Sequence, residues 1–374
     1  VSIILSVAAC LADEDQGVRQ DAATALLCVG ARGNTVAVSA VISYLGHEVA
    51  DVRNSAVTAL AQVAEHGHTA TIEAVASLLA HPEIGVRDTA VLGLQAIAER
   101  SNPAAIAAVA SYLEHESWDV RAHAVGTLMR IVDKGDATAI WAVASRIGHE
   151  AMGVRDAAVL ALRRICDSGD TTAIAAVVVH LEHENSEVRK HAIHVLGRIV
   201  EKGNRAAILA VVTYLEHSNI DVRTHAVGAL ARITDRGDAT AVQMVALRLS
   251  HPEMEVRDVA ALALQRISDK GDCAAISAVA ALLEHENPEV RKHAVHVLGR
   301  IADKGDCTAI AAIAARMGHH DMEVRDTAML ALQNLAEKGD VKGIAAVAAY
   351  LEHSDLDVRT RAIGALSQVA DEGN

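Results

Sequence analysis

Val290-Arg291-Lys292-His293-Ala294-Val295-His296-Val297-Leu298-Gly299-Arg300-Ile301-Ala302-Asp303-Lys304-Gly305-Asp306 is the stretch that decides the fold. The Val-Arg pair that opens it recurs at residues 18, 52, 86, 120, 154, 188, 222, 256, 290, 324 and 358, always 34 residues apart. Ala four residues after each Val and Leu eight after it never vary. Val290, Ala294, Val295, Leu298 and Ile301 fall at the three- and four-residue spacing of a helix with one apolar face. An unvarying Ala among larger apolar residues predicts a close helix crossing with no room for a bigger side chain.

Working outward, Thr308 to Met317 has large apolar residues at Ile310, Ile313 and Met317, a second helical stripe. The same positions are Ile4, Val7 and Leu11 in the first repeat and Ile344, Val347 and Leu351 in the last. A short link, Glu284 to Pro288, joins each first helix to its second. Asn287 suits the N-cap, and Pro288 suits the first helical position, where its missing N–H costs nothing. Equivalent caps are Asp15, Asn185, Asn219, Asp321 and Asp355. Gly305 is expected to end the second helix as a left-handed residue, with Asp306 capping the next helix. Ser101 replaces this Gly once, where Asn102-Pro103 supplies another stop-and-start signal. The chain therefore reads as antiparallel helix pairs in one array over residues 1–374, each repeat touching only its neighbours.

Tetratricopeptide repeats share the 34-residue period, but they need a Trp, Tyr and Phe pattern. This chain has no Phe and 2% aromatics. The T-P-L-H signature of ankyrin repeats is absent too. Val290-Arg291-x-x-Ala294 with its aliphatic stripe, preceded by an acidic or Asn cap, resembles the second helix of HEAT repeats. The short unit is most similar to the HEAT-like repeats of phycobilisome lyases. The resemblance spans the whole chain and rests on packing residues, so it speaks for fold rather than activity. It implies an all-α fold, an α-solenoid of eleven helix–turn–helix repeats forming an extended superhelix. Many HEAT repeats bend the first helix at a proline. Here Pro82, Pro103, Pro252 and Pro288 all lie in or beside links, so straight first helices are expected. Eleven layers of roughly 10 Å give an axis on the order of 100 Å. The chain opens just past a missing N-cap and Asn374 occupies a cap position, so it is expected to be a section of a longer array.

Composition narrows the function classes. The chain is 51% apolar, mostly Ala, Val, Leu and Ile, which suits many thin helix contacts. Its 34 basic and 48 acidic residues give a net charge of −14. That argues against general nucleic-acid binding, which needs a basic surface, and against docking on anionic membranes. No apolar run approaches the roughly 18 residues of a membrane span. The apolar start V-S-I-I-L-S-V-A-A-C lacks the basic flank of a signal peptide and fits the register of a first helix. Five scattered cysteines (Cys10, Cys28, Cys166, Cys273, Cys307) are no disulfide framework and point to a reducing, intracellular compartment. Cys273 and Cys307 are equivalent in adjacent repeats, but stacked helices lie about 8–10 Å apart and a disulfide needs about 7 Å.

Three ladders are candidates for chemistry. The first is the invariant arginine: Arg19, Arg53, Arg87, Arg121, Arg155, Arg189, Arg223, Arg257, Arg291, Arg325 and Arg359. A cation in a helix's first turn opposes the macrodipole, so eleven of them imply a fixed partner. The residue two before the Arg is Gly17, Gly85 or Gly153 in three repeats and cannot be that partner throughout. The resemblance suggests a structural Asp–Arg ladder with the cap Asp and Asn residues as acceptors; phosphate or carboxylate binding is the functional alternative. The second ladder is His47, His81, His115, His149, His183, His217, His251, His285, His319 and His353, each closing a first helix, where a ring can meet orphan carbonyls.

The third set lies on one side of the second helices. It comprises His123, Arg130, Arg164, His191, His194, Arg198, His225, Arg232, Arg266, His293, His296 and Arg300. This side is expected to be exposed, and in HEAT-like solenoids it lines the concave surface. A protein-binding groove and a plain solvated polar surface both fit it. The His191–His194 and His293–His296 pairs have zinc spacing but no recurring third or fourth ligand. Tyr44, Tyr112, Tyr214 and Tyr350 lie one before the last stripe residue of a first helix and are expected to pack on the convex face; with Trp118 and Trp141, a second contact surface is the alternative. No phosphate loop, nucleophile elbow or Cys-His-Asn set is present, so neither catalytic residues nor a cofactor or metal is expected. The chain reads as a non-enzymatic protein–protein interaction scaffold or a structural subunit of a large complex. The alternative is a bilin-lyase-like or chaperone-like protein handling a chromophore-carrying partner.

Overall fold

A computed structural model describes residues 2–29, 32–337, 339 and 341–369. The cap reading at Asn374 lies outside them. Twenty-two α-helices and no strand occur among the described residues. They alternate between a short first helix, such as Cys307–Ala314, and a longer second helix, such as Met322–Leu335.

Local chemistry sets the helix starts. The Asn287 side chain accepts the Glu289 N–H at 2.9 Å, with Pro288 at the first helical position. Asp15, Asn185, Asn219, Asp321 and Asp355 accept the equivalent N–H. Asp306 accepts from Thr308 and Ala309 at 2.9 and 3.0 Å. Each such cap is worth about 1 kcal/mol.

Two expectations are corrected at the helix ends. The first helices do not continue straight as α-helix; most tighten to a 3-10 turn, as at Ala315–Gly318 after Cys307–Ala314. Such i→i+3 bonds satisfy the last carbonyls and turn the chain into the link without a proline. Nor does Gly305 cap its own helix. Pro288–Ile301 ends before the extended Ala302. Gly305 (φ +74°) sits further on, in a turn closed by the Asp306 N–H on the Asp303 carbonyl at 3.1 Å. Its own N–H donates at 2.8 Å to the carbonyl of Leu335, the last residue of the next repeat's second helix. Asn102-Pro103 starts the next helix as its cap and first residue, while Ser101 keeps the glycine's left-handed conformation (φ +60°), its N–H donating to the Ile131 carbonyl at 2.7 Å.

The repeats stack in two layers, first helix on first helix and second on second, with the core between them. The invariant Ala is buried in all eleven repeats, from Ala22 to Ala362. The invariant Leu is buried in ten, and Leu366 is half-buried. Val290, Val295 and Ile301 are buried as their spacing requires, whereas Leu351 of the last first-helix stripe is exposed. The chain divides into two compact units, residues 1–195 and 196–374, each an all-α solenoid of stacked helix pairs. No helix among the described residues is long and apolar enough to cross a membrane.

Candidate functional site

The invariant arginines face inward. Arg223 is 2% exposed, and its Nη1 donates to the carbonyls of His217 and Ser218 in the preceding link, at 2.8 and 3.1 Å. All eleven arginines make this pair of bonds to the residues six and five before them. The acceptors are therefore link carbonyls and not the cap side chains. The guanidinium sits at the helix N-terminus, and the two link carbonyls offset the unfavourable macrodipole there. Its Nη2 can also reach the next repeat. Arg223 meets Glu255 and Arg325 meets Asp357, each at 2.7 Å, and Arg291 pairs with Glu323. Where that position is Gly85 or Gly153, a Cβ would lie 2.6 or 2.7 Å from Nη2 of Arg53 or Arg121. The glycine leaves room for the preceding guanidinium.

The histidines that close the first helices act in the opposite sense to the one expected. Their Nδ1 accepts, at 3.0 to 3.2 Å, the N–H of the residue two further on. In the 285 repeat that donor is Asn287, the N-cap of the second helix. The ring orients the link rather than capping carbonyls, and acceptance requires the Nε2–H tautomer. Asp13 does the same in the first repeat, taking the Asp15 N–H at 2.9 Å.

On the second-helix face the candidates separate by depth. Arg130, Arg164, Arg198, Arg232, Arg266, Arg300 and His296 are exposed. The arginines stand in the last helical turn, where a cation complements the dipole. His123, His191, His194, His225 and His293 are half-buried, which corrects the expectation of an exposed row. His123 Nε2 lies 3.4 Å from Asp88, and His293 Nδ1 lies 3.7 Å from Asp258, both in the preceding repeat. Burial pushes the His293 ring below its ordinary range, against the opposing pull of the Arg257 carbonyl and Asp258. His191 shifts the same way, through burial and then the Arg155 charge. Nε2 of each ring is buried without a hydrogen-bond partner.

No group of three or more His, Cys, Asp or Glu that could hold a metal occurs among the described residues. The His191 and His194 rings lie 6.3 Å apart. Burial, then Asp170 and Asp167, pushes the Cys166 thiol up to about 11. A cleft bounded by Trp118, Ala122, Val125, Ala157 and Leu160 has a volume of about 160 Å³. Trp118 opens a second helix, whereas Trp141 and the tyrosines lie on first helices or their last turns.

Sequence reasoning missed a further ion-pair ladder across the inter-repeat turns. It includes Arg100–Asp133 at 2.7 Å, Arg236–Asp269 at 3.0 Å and Lys270–Asp303 at 2.7 Å. The recurring Asp-Lys/Arg-Gly at the repeat boundary, as in Asp269-Lys270-Gly271, was its available signal.

No curated protein sequence matches the chain. Solved structures similar along nearly all of its length include the following two. One is an engineered protein, 21% identical, covering 98% of this chain and 98% of that one, with a TM-score of 0.25. The other is importin beta, 15% identical, covering 99% of this chain and 51% of that one, with a TM-score of 0.30. The family profile described as HEAT repeats matches residues 4–95, 72–163, 174–265 and 242–333. These matches take in most of the repeats whose buried Ala, Leu and Arg build the stack, and the chain belongs to the HEAT-repeat family.

Proposed function

We propose that this protein is a non-enzymatic scaffold that binds a protein partner through the face of its second helices. The observation that carries this is a division of labour along each helix. The invariant residues are turned into the stack, while the positions that differ between repeats, above all Arg198, Arg266, Arg300 and His296, are exposed on one face. A polar, arginine-bearing surface suits an acidic protein partner held by charge-assisted bonds.

A pull-down read by mass spectrometry tests this, run at low and high salt with wild type and with Arg266→Glu/Arg300→Glu. One stoichiometric protein, reduced by the variant and by salt, supports the reading. Equal capture by the variant sinks it for this face, and a co-purifying coloured tetrapyrrole sinks the scaffold reading as a whole.

A further inference from the structure

The second compact unit carries an apolar row that the fold does not need. The first residue of its successive second helices is Ile220, Met254, Pro288, Met322 and Leu356. Ile220, Met254, Met322 and Leu356 are between 55% and 68% exposed, and Pro288 is exposed too. In the first unit the same register holds Ile84, Trp118 and Met152, exposed as well, but also Gln16, Ala50 and Ser186, and those helices form too. Packing therefore leaves the position free. Only Pro288 has a local reason, as the residue preferred at a helix start. Four large apolar side chains held in water at matched positions of one surface mark a contact site.

Acidic residues line the row. Glu253 and Glu255 stand before and after Met254, Asp321 and Glu323 flank Met322, and Asp355 and Asp357 flank Leu356. Glu255, Glu323 and Asp357 already pair with the buried Arg223, Arg291 and Arg325, which leaves Glu253, Asp321 and Asp355 as the acidic rim for a partner. The row is one side chain wide. An amphipathic helix presents a stripe of about 100° or more, and laying one here would press apolar surface onto the flanking carboxylates, which is costly. An extended chain fits better. Polyproline II brings every third residue to the same side at about 9.3 Å, matching the roughly 8–10 Å between packed helices.

We infer that this row takes an extended, polyproline-II-like segment of a protein partner, with an apolar residue at every third position and Lys or Arg between. Five anchors need about thirteen residues. The inference rests on the scaffold reading but uses the acidic rim at the helix N-termini instead of the arginine face.

The test is fluorescence anisotropy of the full chain with a labelled peptide of about fifteen residues, Leu-Pro-Lys repeated. Saturable binding is expected. Met254→Ser/Met322→Ser should weaken it by about tenfold or more, while Arg266→Glu/Arg300→Glu leaves it unchanged. Both Met positions are exposed and Ser occurs naturally in that register, so the variant should keep its circular dichroism. Three outcomes overturn the inference while leaving the arginine face to its own test. One is no binding, or equal binding of a Ser-Pro-Lys repeat. Another is tighter binding of a helical peptide with Leu at every seventh residue. The third is self-association in sedimentation that the Met variant abolishes, which makes a second copy the occupant.

Discussion

Arg223 gathers two link carbonyls and the Glu255 carboxylate around one guanidinium. Lysine has the charge but not the fork, and cannot hold all three acceptors in those directions. Arg223→Lys should lower stability by about 1–3 kcal/mol, the cost of unpaired buried polar groups, read as a shift in urea midpoint. Glu255 is 73% exposed at its side chain, so Glu255→Gln should cost less than about 1 kcal/mol. Equal losses from the two would mean that the carboxylate, not the carbonyl pair, anchors the arginine. His293 makes stability depend on pH. Its folded ring resists protonation below the ordinary 6.5, so the unfolded chain binds more protons there. Stability contributed by the neutral ring is present above that value and lost as pH falls through it toward the depressed folded value. His293→Gln should flatten the fall in urea midpoint between about pH 7 and about pH 5; an unchanged slope would assign the dependence to other groups.

Helices were the most legible elements. Their caps and stripes depend on residues within a turn or two of each other, as Asn287, Pro288 and Val290 show. Helix ends were less so, because the partner there is main chain in a different repeat. Nothing near Gly305 reveals that its N–H meets the Leu335 carbonyl. The same limit hid the acceptors of the invariant arginine, which are carbonyls, and the amide that His285 receives. Gly305→Ala isolates the turn. A Cβ there meets nothing closer than the Glu337 Oε2 at 3.8 Å, so the cost is torsional, about 1–2 kcal/mol for a left-handed alanine. A urea midpoint unchanged from wild type would show that the turn relaxes to another conformation.

At the scale of the whole molecule, contacts run between neighbouring layers. A lesion in one repeat should therefore be felt locally. Leu298→Ala removes a fully buried side chain and should cost about 2–5 kcal/mol. Hydrogen exchange should show lost protection in that repeat and its neighbours, fading along the chain. A uniform loss over all helices would make the array one cooperative block. The candidate surface was legible where exposure follows from helix phase alone, as for Arg266 and Arg300. It was not legible for His123 and His293, whose depth depends on how closely the preceding second helix approaches.

The bond from the Gly305 N–H to the Leu335 carbonyl has a direction in time. Its donor belongs to the repeat made earlier, its acceptor to the repeat made later, and the same order holds for Gly33–Val63, Gly67–Ile97 and Gly135–Ile165 in the first unit and for Gly203–Ile233, Gly237–Ile267 and Gly271–Ile301 in the second. During synthesis, a turn already in place offers its amide to the helix now leaving the ribosome. That helix can finish without waiting for downstream chain. Growth then resembles laying bricks against a standing wall, and folding can keep pace with translation from the amino terminus onward.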